Sequence, residues 1–171
     1  MNLAPTVQLS GTHAVYADGL PGIFQTIALM RSLVNQYKTN TDIRSAATTV
    51  IFLTPEKNEL SEVRALFYYV RDGVRYTKDI HGVETIATPD KTLACKLGDC
   101  DDQSTLLATM LESVGYPTRF VIAGYNEPDV MEHVYLQVCA CGEWFDLDPT
   151  ERGDVGYAPP GAVTIYMENI Q

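Results

Sequence analysis

A chain of 171 residues, 46 % hydrophobic and 20 % charged, has the length and mix of one globular domain with a continuous core. Its formal net charge of -10 argues against a nonspecific binder of nucleic acid or anionic membrane, since both need a basic patch. The chain opens without a basic-then-apolar leader, and no apolar run approaches roughly 18 residues. The expected setting is the cytoplasm, or a larger particle assembled there, with no nucleic-acid and no membrane partner.

Residues 1–22 hold Pro5, Gly11, Gly19, Pro21 and Gly22 without sustained periodicity, and read as an irregular arm. This arm is a candidate surface for a protein partner. Residues 23–171 then form the single domain. Ile23 to Tyr37 predicts a helix, with Ile23, Ile27, Met30, Leu33, Val34 and Tyr37 on its apolar face. Ile43 to Phe52 is ambiguous, because Ala46-Ala47 permits a helix while Thr48 to Phe52 has strand composition. Leu60 to Val74 predicts a helix with Ser61 as N-cap and an inner stripe of Val63, Leu66, Phe67 and Val70. Gly73 closes it, Val74-Arg75-Tyr76 leaves extended, and residues 77–98 read mostly as loop.

Gly98-Asp99-Cys100-Asp101-Asp102 opens the next helix, with Leu107, Leu111 and Val114 on one face. Three carboxylates suit the first turn of a helix, where they meet its dipole favourably. Thr118 to Gly124 and His133 to Val138 read as strands, and Cys141-Gly142-Glu143 turns the chain into Trp144 to Asp148. The result is an antiparallel hairpin, its register not set by the sequence, with His133 at its outer start and Asp148 at its outer end. Val163 to Tyr166 is a candidate final strand. Helices followed by antiparallel strands make an α+β pattern rather than alternating βα units.

Of the four cysteines, Cys95, Cys100, Cys139 and Cys141, only Cys100 stands at a helix start. There the unpaired backbone N–H groups favour a thiolate. Cys100 reads either as a nucleophile or as a small buried apolar side chain. The flanking carboxylates oppose a bare thiolate, so an ion pair with His133 is the expected way to hold the charge. His133 can take and return the thiol proton, and Asp148 can fix its tautomer. Asp148 also reads as a turn cap before Pro149. Asp146, two residues away on the same face, reads as a rim residue. His13 and His81 have no comparable partners. The cysteine spacings fit neither a disulfide framework nor a zinc knuckle, and the acidic cluster lacks calcium-loop spacing. No metal and no cofactor are expected.

Gly98-Asp99-Cys100-Asp101-Asp102-Gln103-Ser104, then Tyr116-Pro117-x-Arg119-Phe120-Val121, then His133-Val134-Tyr135-Leu136, then Trp144-Phe145-Asp146-Leu147-Asp148-Pro149-Thr150, resembles the transglutaminase-like superfamily, in its bacterial and phage cysteine-protease form. The resemblance spans residues 60–150. It implies a papain-like core, with Cys100 as nucleophile, His133 as general base and acid, and Asp148 as the residue orienting His133. The implied chemistry is acyl transfer at an amide of a peptide or protein. Hydrolysis by a peptidase or amidase is expected first, crosslinking or amine transfer by a transglutaminase second, and a silent interaction or assembly module third. The Cys100 backbone N–H is the first oxyanion donor. Tyr76 is a candidate second donor, or else an aromatic ring packed between helix and sheet. Asp99 and Trp144 are candidates to line the cleft. A phage-type particle would be the larger assembly.

Overall fold

A computed structural model describes residues 8–9, 11–15, 19–78, 84–128 and 130–170. Within the segment read as an irregular arm it has two short strands, β1 (Gln8–Leu9) and β2 (Thr12–Val15), paired antiparallel. Helix α1 (Gly19–Tyr37) begins earlier than the periodicity suggested, because its opening turn carries Pro21 and Gly22 rather than apolar residues. Pro21 fits there, since the first turn has no use for its missing N–H. The ambiguous segment is helical, as α2 (Thr41–Ile51). Asn40 decides this by capping it: its side chain accepts from the backbone N–H groups of Asp42 at 2.9 Å and Ile43 at 3.2 Å. Thr48 and Thr49 turn their hydroxyls back onto carbonyls of the preceding turn, so their β-branched character is accommodated.

Helix α3 (Glu59–Gly73) carries the expected stripe of Val63, Leu66, Phe67 and Val70, all buried. Its cap is Asn58 rather than Ser61; the Asn58 side chain accepts from the Ser61 N–H at 3.0 Å. The extended exit after it is β3 (Arg75–Tyr76), and the stretch expected to be loop contains β4 (Glu84–Ala87), α4 (Pro89–Cys95) and β5 (Leu97–Gly98). Strand β4 pairs with β2, and β3 runs parallel to β5 with Tyr76 opposite Gly98.

Helix α5 (Cys100–Ser113) is the centre of the molecule. Every residue from Asp101 to Ser113 is buried, so the expected one-sided stripe is a helix enclosed on all sides. Helices α1, α2, α3 and α4 pack around it. The remaining side is closed by β6 (Thr118–Gly124) and β7 (His133–Ala140), with β8 (Glu143–Leu147) and β9 (Thr164–Asn169) completing an antiparallel sheet in the order β8-β7-β6-β9. Leu106, Leu107, Met110 and Leu111 are fully buried, each worth about 1.5–3 kcal/mol of removed apolar surface. The helix can also bury polar residues because they bond to backbone: Ser104 Oγ donates to the Val134 carbonyl at 3.2 Å, and Thr109 Oγ1 to the Thr105 carbonyl at 2.6 Å. The β7–β8 hairpin turns at Cys141 and Gly142, whose φ angles of 52° and 80° are those of a two-residue turn that follows the twist of its strands. Among the described residues no helix is long and apolar enough to cross a membrane.

Candidate active site

Cys100 is the first residue of α5, held there by Asp99 and Gly98. Asp99 is the N-cap, its side chain accepting from the Asp102 N–H at 3.4 Å. Gly98 allows a close approach: a Cβ on it would lie 2.5 Å from the Cβ of Asp102. Its carbonyl accepts from the Thr77 N–H at 3.1 Å and from Gln103 Nε2 at 3.0 Å. These bonds tie the approach to Cys100 against β3 on one side and the helix on the other.

The hairpin supplies the second half. Leu136 pairs with Leu147, so continuing the register places Asp148 opposite Tyr135 and diagonal to His133. His133 Nε2 and Asp148 Oδ2 lie 2.6 Å apart. Asp148 is only 1 % exposed, and its other oxygen, Oδ1, accepts from the Thr150 N–H at 3.0 Å and Thr150 Oγ1 at 2.8 Å. Both readings of Asp148 therefore hold at once: one oxygen caps the turn, the other holds the histidine. An ionised carboxylate only accepts, so Nε2 carries the proton and Nδ1 is the basic nitrogen. The His133 ring also stacks on Tyr135, with centroids 6.0 Å apart.

The two halves meet at Val134. Its backbone N–H bonds to the Cys100 sulfur, and its carbonyl takes the Ser104 hydroxyl. The residue after His133 thus touches the cysteine through the main chain, a contact that composition could not announce. The electrostatics at the sulfur run against a resting thiolate. Burial pushes the Cys100 thiol up from its ordinary value, and the Asp101 and Asp99 carboxylates push it further; the Val134 N–H acts the other way. The thiol donates to Asp101 Oδ1 at 3.3 Å. The expected Cys100–His133 ion pair therefore faces opposition from burial and two carboxylates.

Tyr76 is 46 % exposed, so its ring is packed on one side and open on the other. Its phenol is pushed up to about 12, first by burial and then by the charges of Cys100, Asp99, Asp101 and Asp148, so it stays protonated and able to donate. A cleft of about 280 Å³ opens beside it, lined by residues that include Tyr76, Val74, Gln103, Pro149 and Arg152. Gln103 was not anticipated as a cleft residue; its place one turn beyond Cys100 is the signal that could have found it.

Two cleft candidates are elsewhere. Trp144 stands opposite Cys139 near the hairpin turn, beneath the Arg119 guanidinium at 4.2 Å, about 13 Å along the strand from Asp148. Sharing a face with Asp148 did not bring it to the same end of the hairpin. Asp99 is buried as a helix cap rather than presented as a wall. Asp146 accepts from Gln137 Nε2 at 2.7 Å, away from His133. His13 lies in β2, paired with Ile86, and His81 falls outside the described residues. All four cysteines are free, and among the described residues no group of three or more His, Cys, Asp or Glu is placed to hold a metal ion.

The sequence model of the transglutaminase-like superfamily matches residues 46–149, which holds α5 and the whole β7–β8 hairpin. The chain belongs to the transglutaminase-like superfamily. No curated protein matches it. Solved structures of the same fold include one described as a candidate cysteine protease from Cytophaga hutchinsonii, 14 % identical, with a TM-score of 0.56, covering 92 % of this chain and 58 % of that one. LapG from Legionella pneumophila, EGTA-treated, is 20 % identical, with a TM-score of 0.53, covering 80 % and 77 %. Rad4-Rad23 crosslinked to undamaged DNA is 11 % identical, with a TM-score of 0.51, covering 78 % and 39 %. The chain thus spans little more than half of the Cytophaga protein and less than half of the Rad4 chain. At these identities the likeness is one of fold. Within the superfamily, fold and activity separate, so the activity of this member has to be argued from its own residues.

Proposed function

We propose that the chain is a thiol-dependent acyl-transfer enzyme acting on an amide bond of a peptide or protein, with Cys100 as nucleophile, His133 as base and acid, and Asp148 as the residue that orients His133. The observation that carries this reading is the buried Asp148 bonded through one oxygen to His133 Nε2 and through the other to Thr150. A carboxylate buried on both sides holds an imidazole in one tautomer, which a surface histidine does not need.

The proton leaves Cys100 Sγ for His133 Nδ1 as sulfur attacks the carbonyl carbon. The oxyanion that forms is met by the Cys100 backbone N–H at the start of α5, and by the Tyr76 hydroxyl if the carbonyl enters from its side. His133 returns the proton to nitrogen as the C–N bond breaks, leaving a thioester. Water then attacks with His133 as base, releasing acid and thiol. An incoming amine in place of water would give a new amide. Hydrolysis is favoured because water is always present.

The test is a library of peptides and simple amides incubated with and without primary amines and read by mass spectrometry. Cleavage products lost in Cys100→Ala are expected. Amine adducts lost in the same variant would reassign the reaction to transfer. No product of either kind, with Cys100 inert to an electrophilic probe, would leave an interaction or assembly module as the better description.

A further inference from the structure

The proposed reaction asks the Cys100 proton to choose between two acceptors. One is His133, on the strand whose next residue touches the sulfur. The other is Asp101, the following residue in α5, whose Oδ1 already accepts the thiol proton at 3.3 Å. Asp101 is 4 % exposed, so solvent screens its charge poorly. Of its neighbours, Asp99 caps the helix by accepting from the Asp102 N–H, and Asp102 Oδ1 accepts from the Ala87 N–H at 2.8 Å. The other charged and titratable groups acting on the sulfur or on its neighbour Tyr76 are Asp99 at the helix mouth, the Tyr76 phenol from β3 and, from the hairpin, the Asp148 carboxylate bonded to His133.

We propose that Asp101 is a proton-holding residue that keeps Cys100 as a neutral thiol in the resting protein, so that the nucleophile forms only when the proton is passed to His133 during attack. The proposal rests on Cys100 being the nucleophile. It describes a different resting state from a preformed thiolate–imidazolium pair. In such a pair the thiol proton has already left sulfur, and Asp101 would have nothing to accept. Here the hydrogen bond to Asp101 stabilises S–H, while its negative charge penalises S⁻. Both contributions have the same sign as burial, and the Val134 N–H opposes them.

Three consequences can be read. Reactivity of Cys100 toward a small alkylating agent should rise along a pH curve whose midpoint lies above the roughly 8.5 of a free thiol. Removing the charge at position 101 should lower that midpoint by about one pH unit or more, raising the labelling rate about tenfold at any fixed pH below it. The first turn of α5 should tolerate the change in stability better than the titration does, because Asp99 still caps it.

The experiment is iodoacetamide labelling of the full chain from pH 6 to 11. The Cys100-containing peptide is quantified by mass spectrometry, so that Cys95, Cys139 and Cys141 do not enter the reading. Wild type is compared with Asp101→Asn and Asp101→Ser. A high wild-type midpoint that falls in both neutral variants is the expected result. A wild-type midpoint at or below about 8.5, or variants that leave it unmoved, overturns the role of Asp101 while leaving Cys100 as a reactive nucleophile. Cys100 that stays unlabelled across the range in the wild type and in both neutral variants, while the exposed Cys95 reacts, overturns the nucleophile reading and this inference with it. If neither variant folds, the Cys100 ¹³Cβ shift followed against pH in the wild type decides the matter on the same threshold.

Discussion

Placing a methyl group on Gly98 tests the geometry of the helix mouth without assuming any activity. In Gly98→Ala the new Cβ would lie 2.5 Å from Asp102 Cβ and 3.1 Å from its Oδ2, against ordinary contacts of 3.4–4 Å. Something must move by about 1 Å. The Gly98 backbone is held by its carbonyl, which takes the Thr77 N–H at 3.1 Å and Gln103 Nε2 at 3.0 Å. Asp102 is held by its bond from the Ala87 N–H at 2.8 Å. Forcing the contact costs about 1–3 kcal/mol as overpacking. Swinging Asp102 aside instead strands the half-buried Ala87 N–H, at a similar 1–3 kcal/mol or so. These are alternative reliefs of one clash, so they do not add. With a urea m-value near 2 kcal/mol/M, the unfolding midpoint should fall by about 0.5–1.5 M. Far-ultraviolet circular dichroism in urea reads it. Gly73→Ala is the control: a Cβ there meets nothing within 4 Å. It closes a helix, so its midpoint should stay or rise by up to about 0.5 M. A Gly98→Ala midpoint within about 0.2 M of wild type, or an equal fall in both variants, would refute the steric reasoning.

Asp148→Ala removes the acceptor of His133 Nε2 and of both Thr150 donors, and should lower kcat/KM by about 10²–10⁴-fold; Asp148→Asn, which keeps an acceptor, should lose less, and equal losses would argue against an orienting role. Tyr76→Phe should lower kcat by about 10²-fold with KM unchanged if the phenol meets the oxyanion, and an unchanged kcat removes Tyr76 from the site. The buried Tyr135 phenol is pushed up to about 12, chiefly by burial and then by Asp146. The unfolded chain ionises near pH 10 while the fold resists, so this group's contribution is complete below pH 10 and is lost as pH rises toward 12, by roughly 3 kcal/mol at most. Urea unfolding of Tyr135→Phe at pH 9 and pH 11 should show a smaller alkaline loss than wild type, and identical losses would contradict the assignment.

The β7–β8 hairpin was legible because its signals are local. His133-Val134-Tyr135-Leu136 alternates, Cys141-Gly142 supplies two positive φ angles, and one register then fixes Asp148 against His133. The elements between Tyr76 and Cys100 were not legible for the opposite reason. A two-residue strand has no period, and α4 is only seven residues long. They exist because β3 and β5 find each other across the fold. Helix α5 misled in a further way. The sequence showed one apolar face, Leu107, Leu111 and Val114, yet the polar Gln103, Ser104, Thr105 and Thr109 are buried too, with Ser104 and Thr109 bonded to backbone carbonyls. A polar side chain such as Ser104 or Thr109 can be buried where a backbone carbonyl is in reach. For the site, residue types and order pointed to Cys100, His133 and Asp148. The Val134 N–H on the sulfur and the second grip of Asp148 on Thr150 depend on backbone placement, which residue identity does not encode.

The enclosure of α5 sets how the site fails. An amide on a helix packed on all sides exchanges with solvent only when the surrounding elements separate, so residues 104–113 should exchange at the rate of global unfolding. Cys100 stands at the head of the helix that contains that segment. Destabilised variants should therefore pass from competent molecules directly to unfolded ones, with the population of folded protein, rather than a loosened site, governing how much activity remains.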